Sequence, residues 1–507
     1  MVRFMTELTV TPAPAGSLTD SRRRAIFLVT ALGAFMGSLD LSIVNVAFPA
    51  LERAFSHDAR ASLAWIITGY SIVFGSLLVI AGRSADRLGA RKVFFAGLLV
   101  FCVGSLSCAL APTVALLIGG RVVQGVGAAM MLPASLGLLL AAYPLERRSQ
   151  MVALWGGIGA LAVATGPSFG AALITALGWR AVFYVNVPIG ALAYLLGRKV
   201  LIATPSLRAT ARPDYPGAAI LSVALASLVL AISEGPTWGW SSPWVLVSFV
   251  AACVLLTLFI VRSSRHEQPV LDLTLFRARS FRLANTAAFL YSMGFFAMLL
   301  GNILFLTSVW HFSILDAGLA VTPGPLVVAA VSGPAGKIAS RYGFRPVLLV
   351  GFVTFAAGVL WYVWRVHLSA HYLTLWLPGT LIVGLGIGLT FPVLSAAAVS
   401  SLQRERFAVG SAVNQTARQI GGALGVALLV VLLGAPTSAR AALANFHHLW
   451  LFIASMALAA GVVCLGLGRA SVPAPNDADA GVARSHALEE VLDGEIVVPL
   501  HHRRARE

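Results

Sequence analysis

Residues 33–51, GAFMGSLDLSIVNVAFPAL, form an apolar run interrupted by one carboxylate, Asp40. A charge is costly in hydrocarbon, so an acid in such a place marks a site for ion pairing or for carrying a proton. A second ionisable residue, Arg121, lies in a comparable run, LLIGGRVVQGVGAAM. At 1.5 Å per residue, Asp40 lies about 22 Å from the inner edge of its run and Arg121 about 18 Å from the inner edge of its own. Both are therefore at one depth, where a pair is tolerated and two separate charges are not. Gln124 and Gly125 follow Arg121 at i+3 and i+4, and Ala128 and Ala129 at i+7 and i+8. That stripe of small side chains admits a neighbouring helix. Two chemistries fit: a pair that only locks two helices, or an acid that exchanges a proton as its surroundings alternate between water and Arg121.

Such residues must be held by membrane helices. The chain has 507 residues, 58% hydrophobic and 11% charged, with mean hydropathy +0.86. A soluble protein of this length could not hide so much apolar surface. Runs of about 18 or more apolar residues recur from end to end, each able to cross the hydrocarbon as a helix. The alternating strands of a membrane barrel are absent from the pattern. Hydropathy predicts about fourteen spans, near 25–48, 62–81, 93–111, 114–142, 150–173, 181–197, 216–233, 244–261, 284–307, 318–336, 347–364, 373–399, 410–433 and 448–468. Glu234 and Asp316 fall at outer ends, which leaves Asp40 as the acid well inside a span.

Of the 36 Lys and Arg, 29 fall in the tails and in the loops on their side of the membrane. Arg53, Arg60, Arg180, Arg365 and Arg440 lie opposite, and Arg121 and Arg418 lie within spans. The positive-inside rule then puts both termini in the cytoplasm of a multi-pass protein of the cell (plasma) membrane. Topology and attraction to anionic membrane lipid account for the net charge of +16, so no nucleic-acid partner is expected. SRRRAIF at 21–27 resembles a twin-arginine export signal, but the apolar run behind it is too long and lacks a cleavage site. It is read as the first helix. Cys102, Cys108, Cys253 and Cys464 all fall in predicted spans, so no disulfide framework is expected.

Two loops on the basic side align without gaps: GRSADRLGARK at 82–92 and GKIASRYGFRP at 336–346. Gly82, Arg87, Gly89 and Arg91 match Gly336, Arg341, Gly343 and Arg345, and Arg83 faces Lys337. The offset of 254 residues covers eight spans, two more than a six-plus-six duplication gives. The extra pair is placed at 216–233 and 244–261, followed by RSSRHEQPVLDLTLFRARSFR, which could hold a short helix on the membrane surface. The chain then divides into a cytoplasmic N-terminal tail (1–24), an N-terminal six-helix bundle (25–197), cytoplasmic linkers with the inserted pair (198–283), a C-terminal six-helix bundle (284–468) and a cytoplasmic tail (469–507). The last is rich in Pro, Ala and charge and is expected to be disordered. In the first loop, Gly82 and Gly89 permit a tight turn, and Asp86 can bond an arginine or cap a helix of the other half.

The sequence now resembles a known family: the major facilitator superfamily, and within it the fourteen-helix drug:proton antiporters. LDLSIVNVAFP (39–49) is similar to that family's first-helix motif, GRSADRLGARK to the superfamily loop between helices 2 and 3, and RVVQGVGAA (121–129) to the fourth-helix motif. WIITGYSIVFG (65–75), GWRAVFYVNVPIG (178–190) and NQTARQIGGALGVAL (414–428) resemble further signatures. The matches run from about residue 30 to 430, and their order and spacing carry the specificity. ATGPSFGAA (164–172) keeps Gly166, Pro167 and Gly170 of the fifth-helix antiporter motif, while Ala162 and Ala171 stand where that pattern usually has glycine. Pro167 frees the carbonyl near residue 163, giving a flexing point or an ordinary kink.

The resemblance implies two six-helix bundles plus two inserted helices, all α, and export of drugs or antibiotics driven by the proton gradient, with no cofactor. It implies that Gly82, Arg83, Asp86, Arg87, Gly89 and Arg91 form a gating latch, weaker in the second copy, where Ser340 replaces the acid. It also implies a substrate cavity between the halves. The candidates to line it are Asn45, Trp65, Tyr70, Gln124, Tyr291, Phe295, Phe296 and Met298. Gln415, Arg418 and Gln419 either contact helix ends or line the inner vestibule. Trp238, Trp240 and Trp244 suit the outer interface.

Other classes fit less well. Around GPAGKIAS (333–340), Val331 stands where an ATP-binding loop needs its first glycine, and Ile338 follows Lys337. His367 and His371 are spaced for a metal but have no acidic ligand nearby, so no metal site and no enzyme are expected. A proton-coupled importer or exporter of an endogenous metabolite or lipid stays open, as does a non-transporting membrane scaffold. One paired acid leaves no carboxylate for a cation, so lipophilic neutral or weakly charged compounds are the expected substrates, handled by a monomer.

Overall fold

A computed structural model describes residues 18–203, 213–402 and 406–468, without the side chains of 145, 146, 149, 153 and 408. The expected disordered tail, most of the N-terminal tail and the linker stretch 204–212 lie outside the described residues. Backbone in hydrocarbon must satisfy its own polar groups, so the apolar runs fold as helices. The first half runs α1 (Asp20–Ala54), α2 (Arg60–Leu88), α3 (Ala90–Leu110), α4 (Val114–Ala142), α5 (Leu145–Leu177), α6 (Ala181–Tyr184) and α7 (Asn186–Val200). The inserted pair is α8 (Tyr215–Trp238) and α9 (Pro243–Arg265). The second half runs α10 (Arg279–Ser308), α11 (Ile314–Val321), α12 (Pro323–Tyr342), α13 (Phe344–Arg365), α14 (Leu377–Val399), α15 (Phe407–Leu433) and α16 (Ala439–Leu465). Among the described residues, 14 helical stretches are long and apolar enough to cross a membrane, α6 with α7 and α11 with α12 each forming one.

Hydropathy locates the spans but not their breaks. The stretch expected at 181–197 divides at Val185, and the one expected at 318–336 starts at Ile314 and divides before Pro323, which has no N–H to give. The segment after α9 expected to hold a short helix contains a five-residue 3-10 helix, Leu273–Arg277, where Asp272 accepts from the Thr274 N–H at 3.0 Å.

The repeated loops differ from expectation in one respect. Gly82 is helical, because α2 continues to Leu88, and only Gly89 makes the turn, at φ 91°. Gly343 does the same in the second copy, at φ 89°. Beyond the loops, the duplication reaches the helix contacts. A Cβ on Gly97 would lie 2.7 Å from Met131 N, and one on Gly104 2.5 Å from Gln124 N, so α3 and α4 touch backbone to backbone. At the same 254-residue offset stand Gly351 and Gly358, where a Cβ would meet Thr390 Oγ1 at 2.5 Å and Val383 N at 2.7 Å. Glycine at these crossings lets α13 and α14 approach as α3 and α4 do.

Each half is a six-span bundle. In the first, α1 packs on α5, α4 and α7, and α4 on α2 and α3; in the second, α14 packs on α12 and α13, and α10 on α15 and α16. The halves meet along α2 and α15 on one side, along α5 with α11 and α12 on the other, and through α1 and α10. The Thr416 hydroxyl donates to Gly75 O at 2.8 Å across the first of these seams. The inserted α8 lies against both α2 and α15, with Leu221, Leu225 and Val229 packed among Ile72, Ala423 and Ala427.

Candidate functional site

The burial of Asp40 follows from α1 standing in the middle of the first bundle. Asp40 and Arg121 are 0% and 1% exposed, and Asp40 Oδ2 accepts from Arg121 Nη1 at 2.6 Å. Gln124, one turn beyond Arg121 on α4, binds both: its Nε2 donates to Asp40 Oδ1 at 2.8 Å and its Oε1 accepts from Arg121 Nη1 at 2.6 Å. Arg121 Nε donates to Ile66 O of α2 at 2.9 Å, and the guanidinium lies over the Tyr70 ring at 4.1 Å. A further layer extends the network. Gln124 Nε2 and Asn186 Nδ2 both reach Ser105 Oγ, at 3.2 and 3.0 Å, and Ser105 donates to Phe183 O at 2.9 Å. The break at Val185 thus turns Asn186 inward, between α6 and α7. A buried pair is tolerable only with its remaining hydrogen bonds filled, and here both carboxylate oxygens have donors.

The cavity is separate from the pair. It encloses about 270 Å³ between the halves and is lined by α1, α5, α10, α12, α14 and α15, with one residue each from α11 and α13. From α1 it takes Leu41, Ser42, Asn45 and Val46, which lie on the opposite face of that helix from Asp40. Of the residues expected to line it, Asn45, Phe295, Phe296 and Met298 do. The other four do not. Tyr70 and Gln124 surround the charge pair instead. Tyr291 is held in an aromatic cluster with Phe352, Phe355 and Phe391, and Trp65 packs into the apolar group under α8. Gln415, Arg418 and Gln419 line the cavity, as do Asn302 and Thr380, which sequence reading missed because single polar residues in a span carry no directional signal.

The fifth-helix motif joins α5 to α1. The carbonyl of Val163, four residues before Pro167, accepts from the Ser42 hydroxyl at 3.0 Å. A Cβ on Gly166 would lie 2.6 Å from Ser42 Oγ, and Gly170 sits directly against Ile43. On its other side, α5 receives Gly318 of α11 against the Pro167 carbonyl at a would-be 2.6 Å. Pro167 itself lines the cavity.

The loop motif is tied to the inserted segment and to the end of α7. Arg83 Nη1 donates to Pro269 O at 2.6 Å, Ser84 Oγ shares a hydrogen bond with Tyr215 OH at 3.0 Å, and Arg91 Nη2 donates to Arg198 O at 3.3 Å. Asp86 is exposed and makes no hydrogen bond or ion pair among the described residues, so the latch contact expected for it is not made here. Arg87 likewise has no bonded partner among them.

Comparison with known proteins decides the family. The model of the Major Facilitator Superfamily matches residues 30–426 and, in a second match, 284–496. The chain belongs to the Major Facilitator Superfamily. Within that superfamily it is 34% identical over 413 residues to the multidrug resistance protein Stp of Mycobacterium tuberculosis, covering 81% of this chain and 76% of that one. It is 33% identical over 423 residues to a methylenomycin A resistance protein of Streptomyces coelicolor (83% and 88%) and 31% identical over 428 residues to a tetracenomycin C resistance and export protein of Streptomyces glaucescens (84% and 78%). The crystal structure of an auto-inhibited POT-family peptide transporter superposes with a TM-score of 0.65 at 15% identity, over 89% of this chain and 99% of that one. That likeness shows the shared major facilitator fold.

Proposed function

We propose that this protein is a proton-coupled exporter of lipophilic drugs, antibiotics or similar small molecules, working by alternating access in the cell membrane with both termini in the cytoplasm. The relatives named for drug and antibiotic resistance support export as the activity. The observation that carries proton coupling is Asp40: it is fully buried at the middle of a spanning helix, where Arg121 and Gln124 hold its two oxygens. Arg121 is the charged partner of that carboxyl group, so a movement of α1 against α4 changes its surroundings more than any other in the bundle. Because Asp40 and the cavity lie on opposite faces of α1, proton and substrate do not compete for one place. Coupling passes through the seating of α1 against α4 and α5, and no covalent step is involved.

The test is efflux in everted vesicles under an imposed pH gradient, normalised to folded protein and screened across dyes and antibiotics. Asp40→Asn keeps the size and hydrogen bonding of the side chain but cannot titrate, so substrate still binds while proton-driven accumulation stops. An Asp40→Asn variant that still concentrates substrate using the pH difference rules Asp40 out as the coupling acid.

A further inference from the structure

The cavity contains a second charge that the pair of Asp40 and Arg121 does not explain. Arg418, on α15, lines the cavity with its guanidinium stacked on the Phe391 ring at 4.1 Å. Its single hydrogen bond is a long one, Nη1 to Ser395 Oγ at 3.5 Å, and its Nε is buried with no partner. No carboxylate lies within ion-pairing distance among the described residues, and none lines the cavity. A guanidinium carries five N–H donors in a fixed plane and stays protonated, so most of its bonding capacity here is unspent. The neighbouring Gln419 also has a buried carbonyl oxygen without a partner, while Gln415 lines the same wall.

The rest of the lining is apolar or neutral and includes Phe295, Phe296 and Met298, with the Phe295 ring 4.7 Å from the Phe391 ring on which the cation stacks. An unpaired cation in such apolar surroundings repels a second cation and binds an oxyanion well, because the local dielectric is low and the donors are already oriented. We propose that Arg418 is the recognition site for an acidic group, a carboxylate or an ionised phenol or enol, on a lipophilic transported compound. The aromatic wall takes the apolar body while the guanidinium takes the oxygens. This deepens the exporter reading and rests on it: the substrates are lipophilic acids in place of the neutral compounds expected from sequence.

The test measures binding, which needs no gradient and no transport, so it fails or succeeds separately from the exporter reading. Purified full-length protein in neutral detergent at pH 7.5 is titrated with 1-pyrenebutyric acid and with its methyl ester, following energy transfer from tryptophan. The two probes share a body and differ by one charge. Wild type should bind the acid about 10-fold or more tightly than the ester, the scale of one charge-assisted hydrogen-bonded contact. Arg418→Gln should abolish that preference and leave ester binding within about 2-fold, and Arg418→Lys should retain part of it. Size-exclusion profile and thermal midpoint identify any variant that misfolds, and the wild-type comparison stands without variants. Equal wild-type affinity for acid and ester, or an Arg418→Gln variant that weakens both alike, would overturn the proposal. Phosphatidylglycerol added to the micelles should not displace the acid. Displacement by it would assign the cation to a lipid headgroup and equally overturn the assignment.

Discussion

Asp40 and Arg121 are worth more together than apart. If Arg121→Ala leaves Asp40 charged in the bundle, the stranded carboxylate costs about 3–5 kcal/mol of stability, so folded yield falls. Replacing both, as Asp40→Asn with Arg121→Gln, removes the stranded charge, and yield returns toward wild type. Transport separates the two roles. If Asp40 carries the proton, the double variant recovers yield without recovering gradient-driven efflux; recovery of both would reduce the pair to a helix lock. Much of this site was legible in the sequence, because a charge in hydrocarbon stands out and its depth follows from helix rise alone. What depth does not give is the rotation of each helix. Where every face is apolar, packing sets that rotation, which is why Tyr70 and Gln124 turn to the pair and Tyr291 to an aromatic cluster, away from the cavity. Ser105 and Asn186 complete the network from helices whose hydropathy says nothing of them.

At the level of elements, the duplication is deeper than its sequence trace. The loops align by eye, whereas the glycine crossings of α3 on α4 and α13 on α14 repeat as contacts. The repeat also locates an asymmetry. In the helix that follows each glycine-bearing one, Gly120, Gln124 and Gly127 have Gly379, Val383 and Gly386 as counterparts at a common offset of 259, which sets Thr380 opposite Arg121. The second half thus lacks the cation of the pair. Helix breaks at Val185 and Thr322 were not legible, since hydropathy averages over them and tertiary partners satisfy the freed groups. The loop motif yields a prediction of the same scale. Asp86 has no partner among the described residues, so Asp86→Ala should leave insertion and thermal midpoint unchanged. A slower turnover in vesicles would then mean that Asp86 bonds in the other conformer; transport at the wild-type rate would make the motif a plain turn. Ser340→Ala should have a smaller effect than Asp86→Ala.

For the whole molecule, the bias of basic residues makes the membrane orientation testable. Reporter fusions at residues 88, 208 and 342 should report the cytoplasm, and those at 57, 239 and 440 the outside. Agreement between 208 and 239 on one side would mean that the inserted pair does not cross as two spans. The pair also has a bearing on traffic within the bilayer. Two bundles that rock against each other have two flanks at which a compound dissolved in lipid could slip in sideways. On the flank of α2 and α15, α8 covers the junction and α9 lies on α8, its residues mostly facing outward. A molecule diffusing in the leaflet meets there a wall two helices thick. On the opposite flank α5 meets α11 and α12, and among the described residues neither inserted helix packs on that join. The inserted helices therefore make the two flanks unequal toward the surrounding lipid: one is screened by α8 and α9, the other by neither of them.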